Sequence, residues 1–214
     1  MNFTNAPSRH SCLLFESFNE QKKAVLSFIK EGLQNGEQCV YVSAARSIDD
    51  WLLEFQAGGI DVHSEQAKGA LKVVASEGDS RPGGLNSIDL ARRIWPRIEA
   101  GLADFGAIRF AVDMGVSLES GASIDDLCHW EATLNPLIEG EAIRAFCLYD
   151  LKGLSPGAIH SALRTHPRVV LRGRAIKSPY YEAPRILENE PLLNHSDADA
   201  GMIEAMLARL YALP

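Results

Sequence analysis

Residues 11–43, SCLLFESFNEQKKAVLSFIKEGLQNGEQCVYVS, contain two short apolar runs on either side of a longer amphipathic segment. The runs SCLLF (11–15) and QCVYVS (38–43) predict buried strands, because they are short, apolar and bounded by polar residues. Between them apolar residues recur at helical spacing, and Gly36 follows as a stop signal. The stretch therefore predicts a strand, a helix from residue 19 or 20 to residue 34, and a second strand.

The same alternation continues to residue 177. Further predicted strands lie at 71–76, 107–114 and 142–150, and RVVLRGRAIK (168–177) predicts a last strand or a hairpin. Predicted helices lie between them at 47–58, 87–104, 123–137 and 155–165, with Ser47 and the Ser155–Pro156 pair as start signals. Strands that are buried on both faces and separated by helices are typical of parallel βαβ units. The prediction is an α/β protein, a three-layer sandwich with a mainly parallel central sheet.

Composition narrows the class of protein. The chain has 214 residues, enough for one domain with a full core, and 46% of them are apolar. The net charge of −7 disfavours a nucleic-acid binder, since phosphate neutralisation needs an excess of Lys and Arg. Neither a membrane-spanning run nor a signal peptide is found, so we expect a cytoplasmic protein without a membrane contact. Four cysteines without a CxxC pair predict buried free thiols.

The composition changes after Tyr181. EAPRILENEPLLNHSDAD (182–199) is rich in Pro, Glu and Asn, which is typical of a linker, and one amphipathic helix follows it. We therefore predict a domain at 1–184 and a linker with a C-terminal helix at 185–214. The apolar stripe of that helix must pack on the domain or on a partner chain. Its members are Met202, Ile203, Met206, Leu207 and Leu210.

The common catalytic patterns GxxxxGK[ST], GxGxxG, HExxH and GxSxG are all missing from the chain. The prediction is therefore a protein without enzymatic activity, catalytic residues or a cofactor. Open parallel sheets bind ligands outside the carboxyl ends of their strands. The residues at those ends, with His10 in front of the first strand, form the predicted ligand-binding set. The set is Phe15, Glu16, Ser43, Asp113, Met114, Tyr149, Asp150 and His10.

Some of these residues have a structural alternative. Asp113 and Asp150 are also suited to capping the loops that follow them. His10 is interpreted either as a ligand contact or as a surface or capping histidine, and His166, before Pro167, as a residue that shapes a turn. The six histidines and four cysteines show no metal-ligand spacing along the chain, so no metal site is predicted.

Residues 12–62, CLLFESFNEQKKAVLSFIKEGLQNGEQCVYVSAARSIDDWLLEFQAGGIDV, resemble the opening of KaiC-type and RecA-like ATPases. IRFAVDMGVSLESG (108–121) resembles their strand with the metal-orienting aspartate, which places Asp113 at that position. The phosphate-loop position reads FESFNEQKK (15–23), without glycine or the Gly-Lys-Ser/Thr triplet, and SAARS (43–47) lacks the water-activating acids. The resemblance implies a RecA/KaiC-like scaffold with a degenerate phosphate loop and no working ATPase.

A second resemblance covers residues 10 to about 184. Its fragments are HSCLLFES (10–17), GEQCVYVS (36–43), GGID (58–61), LKVVAS (71–76), W-E-x-x-L-N (130–135), CLYD (147–150), THP (165–167) and SPYYEAP (178–184). In this order they resemble the MEDS family, the sensory domain named after methanogens, methylotrophs and the regulator DcmR. The resemblance implies a signal-input domain for simple hydrocarbon derivatives, in a family often joined to DNA-binding or histidine-kinase domains. Here one helix follows the domain instead.

The leading hypothesis is a sensory domain that binds a small, largely apolar molecule near the carboxyl ends of its strands. Its partner is expected to be a histidine kinase, a transcription regulator or a second copy of the chain bound through the C-terminal helix. One rival is a degenerate nucleotide-binding protein or weak ATPase that uses Asp113. Another rival is a protein interaction module that binds no ligand.

Overall fold

The computed structural model describes residues 9–43, 47–75, 87–115, 123–183 and 198–213. The segment EGDSRPGG (77–84), between the predicted strand at 71–76 and the predicted helix at 87–104, lies outside these residues, as does the predicted linker at 185–197. The described strands are β1 (His10–Phe15), β2 (Gln38–Ser43), β3 (Leu71–Ala75), β4 (Ile108–Asp113), β5 (Ile143–Asp150), β6 (Arg168–Leu171) and β7 (Arg174–Lys177). The described helices are α1 (Phe18–Gln34), α2 (Ile48–Ala57), α3 (Val62–Ala67), α4 (Ser87–Phe105), α5 (Ile124–Glu139), α6 (Pro156–Thr165) and α7 (Ala200–Ala212).

The strands form one sheet in the order β3-β2-β4-β5-β1-β6-β7. Every pairing is parallel except that of β6 with β7, which confirms the predicted mainly parallel sheet. Residues 168–177 form a hairpin, because Arg172 and Gly173 both have positive φ and make the two-residue turn that suits twisted antiparallel strands. Strand β5, the fifth in the chain, lies between β4 and β1 at the centre of the sheet.

Helices cover both faces of the sheet, so the predicted α/β sandwich of three layers is confirmed. On one face Leu13 and Phe15 pack with the apolar sides of α1 and α2. On the other face Cys12 and Leu14 pack with α5, α6 and α7. The alternation of neighbouring residues between the two faces follows from the pleat of a strand that is buried on both sides.

Local capping explains where most helices begin. Ser47 and Ser155 cap α2 and α6 as predicted, each accepting a hydrogen bond from the backbone N–H three residues further on. Helix α3 was not predicted, although Asp61 caps it in the same way. Since α3 is six residues long and has no buried residue, it shows no apolar periodicity that sequence reasoning could detect.

The C-terminal helix α7 packs on the domain, one of the two predicted outcomes. Ile203 and Leu210 are buried against α6 and the neighbouring sheet face. The Tyr180 hydroxyl donates to the carbonyl of Met206 (3.2 Å), and the Arg172 guanidinium lies 4.2 Å from the ring centre of Tyr211. Much of the apolar stripe is therefore used within the chain.

A membrane-spanning helix would have to be both long and strongly apolar, and none of the helices in the described part of the chain meets both conditions.

Candidate functional site

Four separate elements bring polar side chains together beneath strands β1 and β5. His10 is the first residue of β1, Cys147 lies on the neighbouring strand β5, Glu131 lies on α5, and His166 follows the end of α6. The parallel register pairs Cys12 with Cys147, so His10 and Cys147 point to the same face of the sheet. We call His10, Glu131, Cys147 and His166 the buried cluster; each side chain is at most 2% exposed.

Glu131 is the centre of the buried cluster. Its Oε2 lies 3.1 Å from Nε2 of His10, 3.5 Å from Nε2 of His166 and 3.6 Å from Sγ of Cys147. Its Oε1 accepts a hydrogen bond of 2.7 Å from the hydroxyl of Tyr149, which is also buried. The two carboxylate oxygens therefore have different surroundings: Oε1 is held by the phenol, and Oε2 faces two imidazole nitrogens and a thiol.

A second set of hydrogen bonds fixes the His10 ring. Asn135 donates from Nδ2 to the carbonyl of Thr165 (2.9 Å) and to that of Glu131 (3.3 Å), which leaves its Oδ1 as an acceptor. Nδ1 of His10 lies 3.3 Å from this Oδ1 and must therefore donate to it. In the neutral ring the lone pair is then on Nε2, the nitrogen that faces Glu131 and Cys147.

The His166 ring is held in the same way. Its Nδ1 lies 2.9 Å from the carbonyl of Ala162 and 3.0 Å from Oγ1 of Thr165. Oγ1 of Thr165 already donates to the carbonyl of Ser161, so both contacts of Nδ1 are acceptors and the proton lies on Nδ1. Nε2 of His166 is buried and has no hydrogen-bond partner among the described residues. In the neutral tautomer that these hydrogen bonds select, each histidine directs an Nε2 lone pair toward Glu131.

Electrostatics keep one charge at the centre. Burial favours a neutral Glu131, but His166 and His10 outweigh it and hold the pKa of the carboxyl well below its usual range. Burial, reinforced by His166, lowers the pKa of His10. Burial and the charge of Glu131 raise the pKa values of Cys147 and Tyr149 well above their usual range. Without a bound cation, the site is a carboxylate surrounded by a neutral thiol and a neutral phenol.

The buried cluster has the composition of a metal site. One ligand atom from each of its four residues lies within 4.8 Å of the ligand atoms of the other three. Spacing along the chain predicted no metal cluster, because Glu131, Cys147 and His166 are separated by many residues and His10 lies at the opposite end of the domain. The fold nevertheless assembles two imidazoles, a thiol and a carboxylate.

Two of the eight predicted ligand-binding residues, His10 and Tyr149, belong to this site or contact it. The interpretation of His10 as a surface histidine is wrong, since it is 2% exposed. Tyr149 points into the core rather than toward the carboxyl edge of the sheet. Thr165 and His166 do shape the end of α6, but His166 also enters the buried cluster.

The other six predicted residues lie at the carboxyl ends of the strands, as the topology requires. Phe15, Ser43 and Met114 are buried, and Phe15 and Met114 belong to cores on opposite faces of the sheet. Glu16 is exposed. Their role in binding a ligand stays a prediction.

Two carboxylates at this edge are tied to the protein. Asp113 accepts from Nε2 of Gln21 (3.2 Å) and from the backbone N–H of Gly115 (3.2 Å). Asp150 accepts from the backbone N–H of Lys152 (2.9 Å). Each carboxylate thus accepts a hydrogen bond from the backbone N–H two residues further along the chain. This is the loop-capping role that the sequence offered as the structural alternative for Asp113 and Asp150.

The four predicted free thiols are confirmed, since all four cysteines are buried and unpaired with one another. The signal that could have located the buried cluster was in the fragments HSCLLFES, W-E-x-x-L-N, CLYD and THP. Each of them contributes a side chain to it or to its hydrogen bonds. Read singly, these residues look like ordinary core positions.

Comparison with protein families identifies a match over most of the chain. No curated protein is significantly similar to the chain. The family model described as MEDS, the MEthanogen/methylotroph, DcmR Sensory domain, matches residues 9–167. This range begins one residue before His10 and ends one residue after His166, so it contains the whole buried cluster. The match covers most of the chain, and the chain belongs to the MEDS family of sensory domains.

Proposed function

We propose that this chain is a non-enzymatic signal-input domain that binds a small, largely apolar molecule and relays the event to a partner protein. A sensory role is what membership of the MEDS family suggests. The proposal of an apolar ligand in place of a nucleotide rests on the acidic amino terminus of α1. In the ATPases that the sequence resembles, phosphate binds at this position. The relationship to those KaiC-type and RecA-like ATPases is itself part of the proposal.

The first turn of α1 is occupied by the protein's own carboxylate. Oε2 of Glu20 accepts from the backbone N–H of Glu16 (2.8 Å), and Ser17 accepts from the backbone N–H of Glu20. A helix amino terminus attracts anions through its free N–H groups and its dipole. Here a neighbouring negative charge opposes a phosphate, while an uncharged or cationic ligand meets no such penalty.

Asp113 and Gln21 are the polar groups that we propose as the ligand contacts at this edge. Gln21 is buried and Asp113 is half-buried, so a ligand that reaches Asp113 loses much of its contact with water. Small-molecule sites are typically apolar with a few polar groups that fix orientation, and Phe15 and Met114 supply the apolar part of this proposal. Phe15 and Met114 are both buried, so this edge of the sheet must open before a ligand can contact them.

Relay to the partner is proposed to run through α6 and α7. Helix α6 ends at Thr165, next to the buried cluster, and α7 packs against α6. A shift of α6 would therefore change the support of α7, whose outer surface is the proposed contact for a histidine kinase, a regulator or a second copy of the chain. Hydrogen exchange in α7 should change when the ligand binds, and unchanged exchange would contradict this route.

The test of the binding site is saturation-transfer NMR with a panel of short-chain alcohols, amines and halomethanes. The proposal expects at least one compound to bind the wild type, with the signal lost in Asp113→Asn. Asp61→Asn is the matched control, because it makes the same change at the N-cap of α3, where asparagine caps equally well. Absence of binding by the whole panel, or equal binding by Asp113→Asn, would contradict the proposed site.

A nucleotide-binding protein is the rival that the same edge allows. Titration of the wild type with Mg-ATP separates the two, because the acidic turn of α1 predicts no saturable binding. Mg-dependent binding that is lost in Asp113→Asn would favour the rival.

A further inference from the structure

Three atoms that carry lone pairs when both histidines are neutral converge in the buried cluster. They are Oε2 of Glu131 and the Nε2 atoms of His10 and His166, whose protons lie on Nδ1. The thiol of Cys147 contacts Nε2 of His10 and Oε2 of Glu131 with its single proton, and Nε2 of His166 has no hydrogen-bond partner among the described residues. Lone pairs that face a carboxylate in a dry interior repel one another unless a positive charge lies between them.

We propose that the buried cluster is a metal site, with a zinc-class divalent cation bound by Nε2 of His10, Nε2 of His166, Oε2 of Glu131 and Sγ of Cys147. Two imidazoles, a thiolate and a carboxylate are the donor types that Zn²⁺ takes in proteins, usually as a tetrahedral set of four. Hard cations such as Mg²⁺ and Ca²⁺ prefer oxygen ligands and do not suit this set.

Of four distances between the ligand atoms, three match the edges of such a tetrahedron and the fourth is slightly shorter. Bond lengths of about 2.0–2.3 Å imply edges of roughly 3.3–3.6 Å. Nε2 of His10 lies 3.1 Å from Oε2 of Glu131 and 3.4 Å from Sγ of Cys147. Oε2 lies 3.6 Å from Sγ and 3.5 Å from Nε2 of His166. One donor atom from each of the four residues lies within 4.8 Å of the other three, so a modest contraction around the ion completes the site.

The surrounding hydrogen bonds are those that support metal ligands. Metal-bound histidines usually donate their other ring N–H to a carbonyl or carboxylate, which fixes the tautomer and the ring orientation. His10 does so to Asn135, and His166 does so to the carbonyl of Ala162. Tyr149 holds Oε1 of Glu131 and leaves Oε2 for the ion. The hydrogen bonds that a metal site needs around its ligands are therefore present in the structure.

Charge balance favours a divalent ion. A cation at this position deprotonates a coordinating thiol, which reverses the effect of burial on Cys147. The two negative ligands, the thiolate of Cys147 and the carboxylate of Glu131, then neutralise an ion of charge +2. The filled site is electrically neutral, which is what a buried position requires. With two neutral imidazoles it is also fully coordinated, as structural zinc sites are.

The experiment uses the full chain, stripped with chelator and titrated with Co²⁺ and with Zn²⁺. The proposal expects one equivalent of Co²⁺ to bind with a thiolate-to-cobalt charge-transfer band, and Zn²⁺ to displace it. Cys147→Ser should lose the band, and His166→Ala should bind Zn²⁺ more than about 100-fold more weakly, beyond what the loss of an outer hydrogen bond causes. Cys39→Ser is the control, since Cys39 is a buried thiol on the opposite face of the sheet and the band should persist.

Two results would overturn the proposal. One is a wild-type chain that is folded by circular dichroism, shows no thiolate-to-cobalt band with Co²⁺ and does not bind Zn²⁺. The other is a band that survives in Cys147→Ser as it does in Cys39→Ser. The wild-type spectrum decides the question even if a cluster variant fails to fold, and it does not depend on the small-molecule site proposed at Asp113.

Discussion

The hydrogen bond from Tyr149 to Glu131 gives a direct measure of how strongly the buried cluster supports the fold. Tyr149→Phe removes one hydroxyl from a fully buried position and leaves the ring in place. The lost bond is 2.7 Å long and ends on a carboxylate whose pKa is held low by His166 and His10. Oε1 of Glu131 then keeps its charge and loses the donor that stabilised it.

Hydrogen bonds to charged groups contribute about 1.5–3 kcal/mol to the free energy of unfolding, and neutral ones about 0.5–1.5 kcal/mol. Tyr149→Phe should therefore cost about 1.5–3 kcal/mol. With an m value of about 3 kcal/mol/M, the upper end for urea, the midpoint should fall by roughly 0.5–1 M. The measurement is urea unfolding followed by both fluorescence and circular dichroism, with chelator present so that a bound ion does not contribute.

Tyr180→Phe is the matched control. Its hydroxyl donates to the neutral backbone carbonyl of Met206 in a half-buried position, so the same chemical change should cost about half as much or less. A Tyr149→Phe cost no larger than that of Tyr180→Phe would refute the reasoning, because it would mean that no buried charge depends on this hydroxyl.

Three further predictions test other parts of the structure. Gly32→Ala places a Cβ 2.5 Å from Sγ of Cys39 and 2.7 Å from Cδ of Arg109. This substitution should lower the free energy of unfolding by about 1–3 kcal/mol, measured by thermal unfolding. Gly140→Ala is the control and should be near neutral, because a Cβ at Gly140 has open space around it. Leu210→Ala should cost about 2–5 kcal/mol, because Leu210 lies on the buried side of α7 and is fully buried. Met202→Ala on the exposed side of the same helix should cost little, and equal effects would contradict the packing of α7 on the domain. Burial raises the pKa of Cys39 to about 12, and all four thiols are buried. Ellman's reagent at pH 8 should therefore label the folded chain slowly and should label all four cysteines once the chain is unfolded. Rapid labelling of the folded chain would be inconsistent with the structure.

The fold was predictable because its signals are local. Apolar runs of strand length, helical periodicity and the caps at Ser47 and Ser155 each depend on a few neighbouring residues, and the structure has the strands and helices where they indicate. The sheet order is not local: β5 lies between β4 and β1 because of crossovers that no short pattern encodes. Helix α3 was missed because nothing in it is buried.

The site was less predictable for the same reason. His10 and Cys147 become neighbours only through the pairing of β1 with β5, and Glu131 and His166 come from two helices that pack over that pair. In the sequence, Glu131 lies on an amphipathic helix and Cys147 in an apolar strand, so each fits a structural role. Because ligands bind at the carboxyl ends of parallel strands, the sequence predicted a site at Asp113 and Asp150. In the structure the carboxylates of both residues accept hydrogen bonds from the backbone.

Crystals of the full chain grown with Zn²⁺, with diffraction recorded on both sides of the zinc absorption edge, would show whether the buried cluster binds an ion. Our interpretation predicts one anomalous peak about 2.0–2.3 Å from Nε2 of His10, Nε2 of His166, Oε2 of Glu131 and Sγ of Cys147. Zinc at surface positions only, with the four side chains placed as they are here and no peak between them, would contradict it.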